Sequence, residues 1–107
     1  MTRIKLSPEA KKDLKETGAY ITNELHNSKA AGATVSRIMK RLRSLADFPE
    51  IGAPLSSKVH YETDLRFLVC GNYTAFYQYE NNLVYVVRIL YGGRDFTQIL
   101  FGEPEND

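Results

Sequence analysis

The sequence predicts an α+β fold: an N-terminal strand, an antiparallel α-hairpin packed on a three-stranded antiparallel β-meander, and a short C-terminal helix. Three observations lead there. Two successive segments in the first 46 residues carry apolar residues at spacings of three and four. Three apolar and aromatic runs follow, divided by Gly71-Asn72 and Asn81-Asn82, which are tight-turn signals. Thr2-Arg-Ile-Lys-Leu6 alternates polar with apolar, as a half-buried strand does.

Each element has its own local reason. Thr2 to Leu6 is the alternating strand. Ser7-Pro8-Glu9 then supplies an N-cap, a proline at the first helical position and an early acid that suits the helix dipole. Ala10, Leu14, Ile21 and Leu25 place an apolar face on a helix running to about Asn27, with Gly18 a tolerable weak point. Asn27-Ser28 marks the turn. The second helix carries Val35, Ile38, Met39, Leu42 and Leu45, and its opposite face shows Arg37, Lys40, Arg41 and Arg43. So short a connection makes the pair antiparallel. Pro49, Gly52 and Pro54 end that helix, and the stretch to Asp64 has no period and reads as a loop. The strands are then Leu65–Cys70, Tyr73–Tyr79 and Leu83–Leu90. Asp95 caps a terminal helix through Leu100, which Gly102-Glu103-Pro104 stops.

At 107 residues the chain is read as one domain, 1–107, and 43% apolar with 25% charged residues is the balance of a soluble globular protein. A single cysteine, Cys70, excludes an internal disulfide framework. No run approaches the ~20 apolar residues of a membrane span, and the N-terminus lacks the apolar core of a secretory signal. The expected setting is cytoplasmic. Charge is lopsided: residues 1–46 hold ten Lys/Arg against four Asp/Glu, residues 47–107 four against nine. A basic front half suits an acidic protein or a nucleic acid, and equally a solvated helix face.

Enzymatic chemistry is sparse. His26 and His60 stand in no metal-ligand spacing, and no metal or cofactor is expected. There is no nucleophile elbow, zinc-binding helix motif or phosphate loop. Glu62 and Asp64 read as solvated acids and Cys70 as an inert core thiol. The strand tyrosines read as cross-strand packing. Arg66, Arg88 and Arg94 stand out, because an arginine inside a small sheet needs solvent, a carboxylate or a partner for its guanidinium. The two readings are a structural pairing and a surface built for a carboxylate, a phosphate or a protein.

The element order, the segment RSLADFPEIGAPL (Arg43–Leu55), the run LRFLVCGNYTAFYQYENNLVYVVRIL and the closing YGGRDF together resemble the RelE/ParE toxin superfamily over nearly the whole chain. The resemblance implies a toxin of a bacterial type II toxin–antitoxin module, wrapped and neutralised by a cognate acidic antitoxin, with operator DNA met only through that antitoxin. RelE-type members cut mRNA on the ribosome with several cations on the sheet and a terminal Tyr or His. Here Thr74 stands where they carry arginine, and Leu100 stands at the terminal position. ParE-type members poison DNA gyrase, and their closing segment, an apolar strand with Arg and then His-Gly-x-Arg-Asp, is matched by Arg88, Gly92, Arg94 and Asp95, with Tyr91 in the histidine's place. The implied function is therefore a ParE-like gyrase poison that touches its target through Arg66, Arg88, Tyr91, Arg94 and Asp95. The alternatives are a ribosome-dependent endoribonuclease with Arg66, Tyr91 and Arg94 as catalytic residues, and a degenerate member that only binds antitoxin and helps repress its operon. The hairpin offers an apolar groove with a basic rim to an amphipathic antitoxin helix, with Leu14, Ile21, Ile38 and Met39 as candidate contacts.

Overall fold

A computed structural model of the chain describes residues 2–60, 62–92 and 95–102. The elements run β1 (Arg3–Leu6), α1 (Pro8–Glu24), α2 (Ser28–Arg43), β2 (Ala53–Pro54), β3 (Arg66–Cys70), β4 (Tyr73–Glu80), β5 (Leu83–Tyr91) and α3 (Phe96–Phe101), with 3₁₀ turns at Ser44–Ala46 and Leu55–Ser57. The strands form one five-stranded sheet in the order β1-β5-β4-β3-β2.

The expected meander is its centre, and two edge strands enlarge it. β1 lies parallel to β5, Arg3 opposite Leu83 and Leu6 opposite Val86. β2, inside the stretch read as a loop, pairs antiparallel with β3 through Ala53 and Pro54. Proline has no N–H to give to a ladder, so an edge is where a strand can hold Pro54. Sequence periodicity cannot see a two-residue strand.

Local signals fix the ends of the helices. Ser7 Oγ accepts from Ala10 N at 2.9 Å as the N-cap of α1. α1 ends at Glu24, earlier than expected, and His26 turns with φ 50°. Asn27 belongs to the next helix, whose first turn it caps by accepting from Ala30 N. Asn81 and Asn82 both have positive φ, as a two-residue hairpin turn demands. Asp95 caps α3, and Gly102, with φ 72°, ends it.

The helix hairpin covers one face of the sheet. Ile38, Leu42 and Leu45 pack with Leu68, Ala75, Tyr77, Val84, Val86 and Ile89. The other face carries a smaller cluster in which α3 packs Phe96, Ile99 and Leu100 against Leu55, Leu65, Phe76 and Leu90. Helices therefore lie on both faces, where one was expected. The buried stripe of α1 is Ala10, Asp13, Thr17 and Ile21. Leu14 is only partly buried, and Leu25, expected on the apolar face, is 58% exposed beyond the helix end. No helix among the described residues is long and apolar enough to cross a membrane.

Candidate functional site

β5 outruns its neighbour. β1 accompanies it only to Val86, so the backbone beyond that residue meets no strand on that side. α1 takes over the task. Ser7 N donates to Val86 O at 2.9 Å, and Ser7 Oγ donates to Val87 O at 2.6 Å. Asp13 Oδ2 accepts from Ile89 N at 2.9 Å. The same carboxylate holds Arg88: Nε donates to Oδ2 at 2.8 Å and Nη2 donates to Oδ1 at 2.9 Å. A bulge makes the reach possible. Phe76 pairs with Arg88 and Tyr77 with Val86, so Val87 is an extra residue that re-aims the strand. The hydrogen bonds to Asp13 raise the Arg88 pKa above its ordinary value against the opposing effect of burial. This guanidinium is a structural cation, and its partner is an acid that sits among Ala10, Thr17 and Ile21 in the buried stripe of α1. That acid is the signal in the sequence that could have revealed the pair.

Arg66 is also engaged. Its Nη1 donates to Gly52 O at 2.8 Å and to Glu50 O at 3.3 Å, tying the loop after α2 to the sheet. Tyr77 Oη donates to Pro49 O at 2.8 Å and accepts from Gly52 N at 2.9 Å on the same loop. Burial raises the Tyr77 pKa, and the hydrogen bond from Gly52 partly opposes it.

Tyr91 ends β5 with its ring 55% exposed and edge-on to Tyr73, centroids 5.3 Å apart. The chain then turns away, Gly92 N donating to Asn72 O at 2.7 Å. A Cβ at Gly92 would lie 3.1 Å from that oxygen, which accounts for the first glycine of the pair. Gly93 and Arg94 lie outside the described residues. Asp95 Oδ1 accepts from Thr97 Oγ1 at 2.8 Å and Gln98 N at 3.3 Å, so its carboxylate serves α3.

The expected site residues are thus not one cluster. Arg66 pairs with Tyr77, which pairs with Val86, five residues before Tyr91. At about 3.4 Å per residue the two side chains start some 17 Å apart along the sheet. Among the described residues no three His, Cys, Asp or Glu side chains converge as metal ligands. Cys70 is buried, and desolvation pushes its thiol up to about 11.

A concavity lies between the hairpin and the sheet's end. It is an open groove of about 660 Å³ with Cys70, Gly71 and Tyr73 from the β3–β4 turn on one side. Thr17, Ile21, Thr34 and Ile38 line the other, with Arg37 also in the wall. Tyr20 and Tyr91, both more than half exposed, belong to it too. Of the four residues expected to meet an antitoxin, Ile21 and Ile38 line this groove. Ile38 is at the same time a buried core member, and the partly buried Leu14 and Met39 pack against that core. Which helix face points where depends on the crossing of the two helices, and periodicity does not encode it.

The family model for the ParE toxin of type II toxin–antitoxin systems matches residues 4–96. No curated protein matches the chain by sequence. The chromosomal ParDE system of P. aeruginosa contains a chain of similar fold: TM-score 0.72, 20% identity, covering 85% of this chain and 96% of that one. The RelBE2 toxin–antitoxin complex of Mycobacterium tuberculosis gives TM-score 0.61 at 15% identity, covering 84% and 96%. The E. coli RelBE complex gives 0.52 at 17%, covering 88% and 100%. At these identities the likeness is one of fold.

Proposed function

Because the chain belongs to the family of ParE toxins of type II toxin–antitoxin systems, we propose that it poisons DNA gyrase and is neutralised by a cognate antitoxin seated in the hairpin groove. The observation that carries the choice of target is the state of the sheet arginines. An RNA-cleaving site needs cations free to meet the charge that develops on the phosphate, with a proton donor and acceptor beside them. Arg88 is committed to Asp13, Arg66 to the loop carbonyls, and Arg66 stands far along the sheet from Tyr91. A reduced catalytic trio of Arg66, Tyr91 and Arg94 is a poor fit to that arrangement. Poisoning by contact asks only for a shaped surface. Tyr91, with Arg94 three residues on, supplies the kind of side chain that anchors interfaces.

The groove suits an amphipathic helix. The exposed Tyr20, Leu25 and Tyr91 offer apolar contact over the buried Ile21 and Ile38, and among the lining charges Asp13, Glu16 and Arg37 the last offers a cation to an acidic partner.

Two assays on the antitoxin-free protein test the reading. Gyrase supercoiling should yield linearised plasmid, while cell-free translation should proceed without mRNA cleavage by primer extension. Cleaved mRNA with unaffected gyrase would replace this function with the endoribonuclease. Inactivity in both would leave the antitoxin-binding co-repressor. Arg94→Ala should abolish linearisation while leaving the thermal midpoint unchanged, and a folded variant that still poisons gyrase removes Arg94 from the contact.

A further inference from the structure

The connection Phe48-Pro49-Glu50-Ile51-Gly52 is held as firmly as part of the core. Besides the bonds from Tyr77 and Arg66, Phe48 N donates to Ser44 O at 3.0 Å and Ile51 N to Phe48 O at 3.1 Å. Gly52 sits so close to the sheet that a Cβ would lie 2.6 Å from Tyr77 Oη and 2.7 Å from Phe67 O. A fully buried tyrosine and a sheet arginine are thereby spent on a loop.

What this loop shows to water are its large apolar side chains, Phe48 at 62% exposure and Ile51 at 48%. With Pro49 and Glu50 they line a shallow recess of about 330 Å³. An aromatic beside an aliphatic, on a backbone already ordered before a partner arrives, is the composition and the preorganisation of an interface anchor. Asp47 before Phe48 and Glu50 before Ile51 are exposed carboxylates, while the Arg66 guanidinium is turned to the loop carbonyls, so the acids set the charge that the loop shows to solvent. The complement is an apolar recess with a cationic rim.

We infer that this loop is the anchor the toxin inserts into an apolar, basic-rimmed recess of its protein target, an inference that rests on the gyrase reading above. The target is favoured over the antitoxin by position. The loop is fastened at the Arg66 end of β3, whereas the groove lies at the Cys70 end. Those ends are four residues apart, about 13 Å. Phe48 and Ile51 are not among the residues that line the groove.

The test uses the full chain, gyrase holoenzyme and the cognate antitoxin. Phe48→Ala/Ile51→Ala should keep its thermal midpoint and its antitoxin affinity, yet need about 30-fold more protein for half-maximal plasmid linearisation, the loss expected of truncated hot-spot residues. Glu50→Arg should weaken linearisation without touching the apolar pair, by setting like charge against the cationic rim. Tyr77→Phe, which frees the loop but keeps both side chains, should fall between the wild type and the double variant. Full potency of the double variant, with the wild-type protein active, overturns the inference alone. So does a loss of antitoxin affinity, which makes the antitoxin the occupant, or a change in oligomeric state, which makes it a second copy. A wild-type protein that never linearises plasmid overturns the gyrase reading, and the anchor with it.

Discussion

Asp13→Ala is the most informative single substitution in the wall of the groove. The Asp13 carboxylate is 8% exposed and accepts three hydrogen bonds, two from Arg88 and one from Ile89 N. Its removal leaves a buried backbone N–H unpaired, which costs about 1–3 kcal/mol. It also strands a guanidinium. Loss of one partner of a fully buried pair costs about 3–5 kcal/mol, but Arg88 is 25% exposed and can recover water, so its share belongs well below that range. Together these give a loss of about 3 kcal/mol. For a domain of this size that lowers the thermal midpoint by roughly 12–20 °C. Asp13→Asn, which keeps an acceptor, should lose about half as much. Arg88→Met should cost at least as much as Asp13→Ala, because it leaves the 8%-exposed Asp13 carboxylate without its counter-ion and with the Ile89 N–H alone. The double variant should reveal a coupling of about 1–2 kcal/mol, measured by urea denaturation at pH 7. A coupling near zero would refute the pairing as a stabilising element. An Arg88→Met protein of full stability but lost toxicity would return Arg88 to the target surface.

Two further predictions concern packing and pH. Gly52→Ala should cost about 2–3 kcal/mol, because the Cβ meets Tyr77 and a backbone carbonyl. Gly32→Ala in α2, with nothing within 4 Å of its Cβ, should instead stabilise by about 0.5–1 kcal/mol; reversal of that order in urea midpoints would contradict the packing. In alkali, Cys70 and Tyr77 keep their protons in the folded state past the ordinary values of 9.0 and 10.0 at which an unfolded chain releases them. Stability is therefore complete below pH 9 and falls as pH rises, from 9 toward about 11 for Cys70 and from 10 upward for Tyr77. The limiting slope is about 1.4 kcal/mol per pH unit for each group. Cys70→Ala should remove the first phase, and a native thiol that alkylates readily at pH 8 would contradict its burial.

Most of the local signals in this protein were legible from the residues alone. The Ser7-Pro8 helix start, the Asn81-Asn82 turn, the Asp95 cap and the Gly102 stop depend on a few neighbouring residues whose preferences need no distant partner. The helix periods point to the core members Ile38, Leu42 and Leu45 for the same reason. The rest needed the assembled fold. β1 joins β5 across nearly 80 residues, and β2 is too short to carry a period. A charge takes its meaning from what surrounds it. Arg88 reads as a recognition residue along the chain because its counter-ion lies 75 positions away, on the buried face of α1. Arg66 and Tyr77 read as a surface cation and a packed ring, and the fold gives both to one loop. Chain proximity sets turns and caps, whereas the pairing of buried polar groups is set by packing, because a desolvated charge or hydroxyl must find its partner wherever the chain brings one.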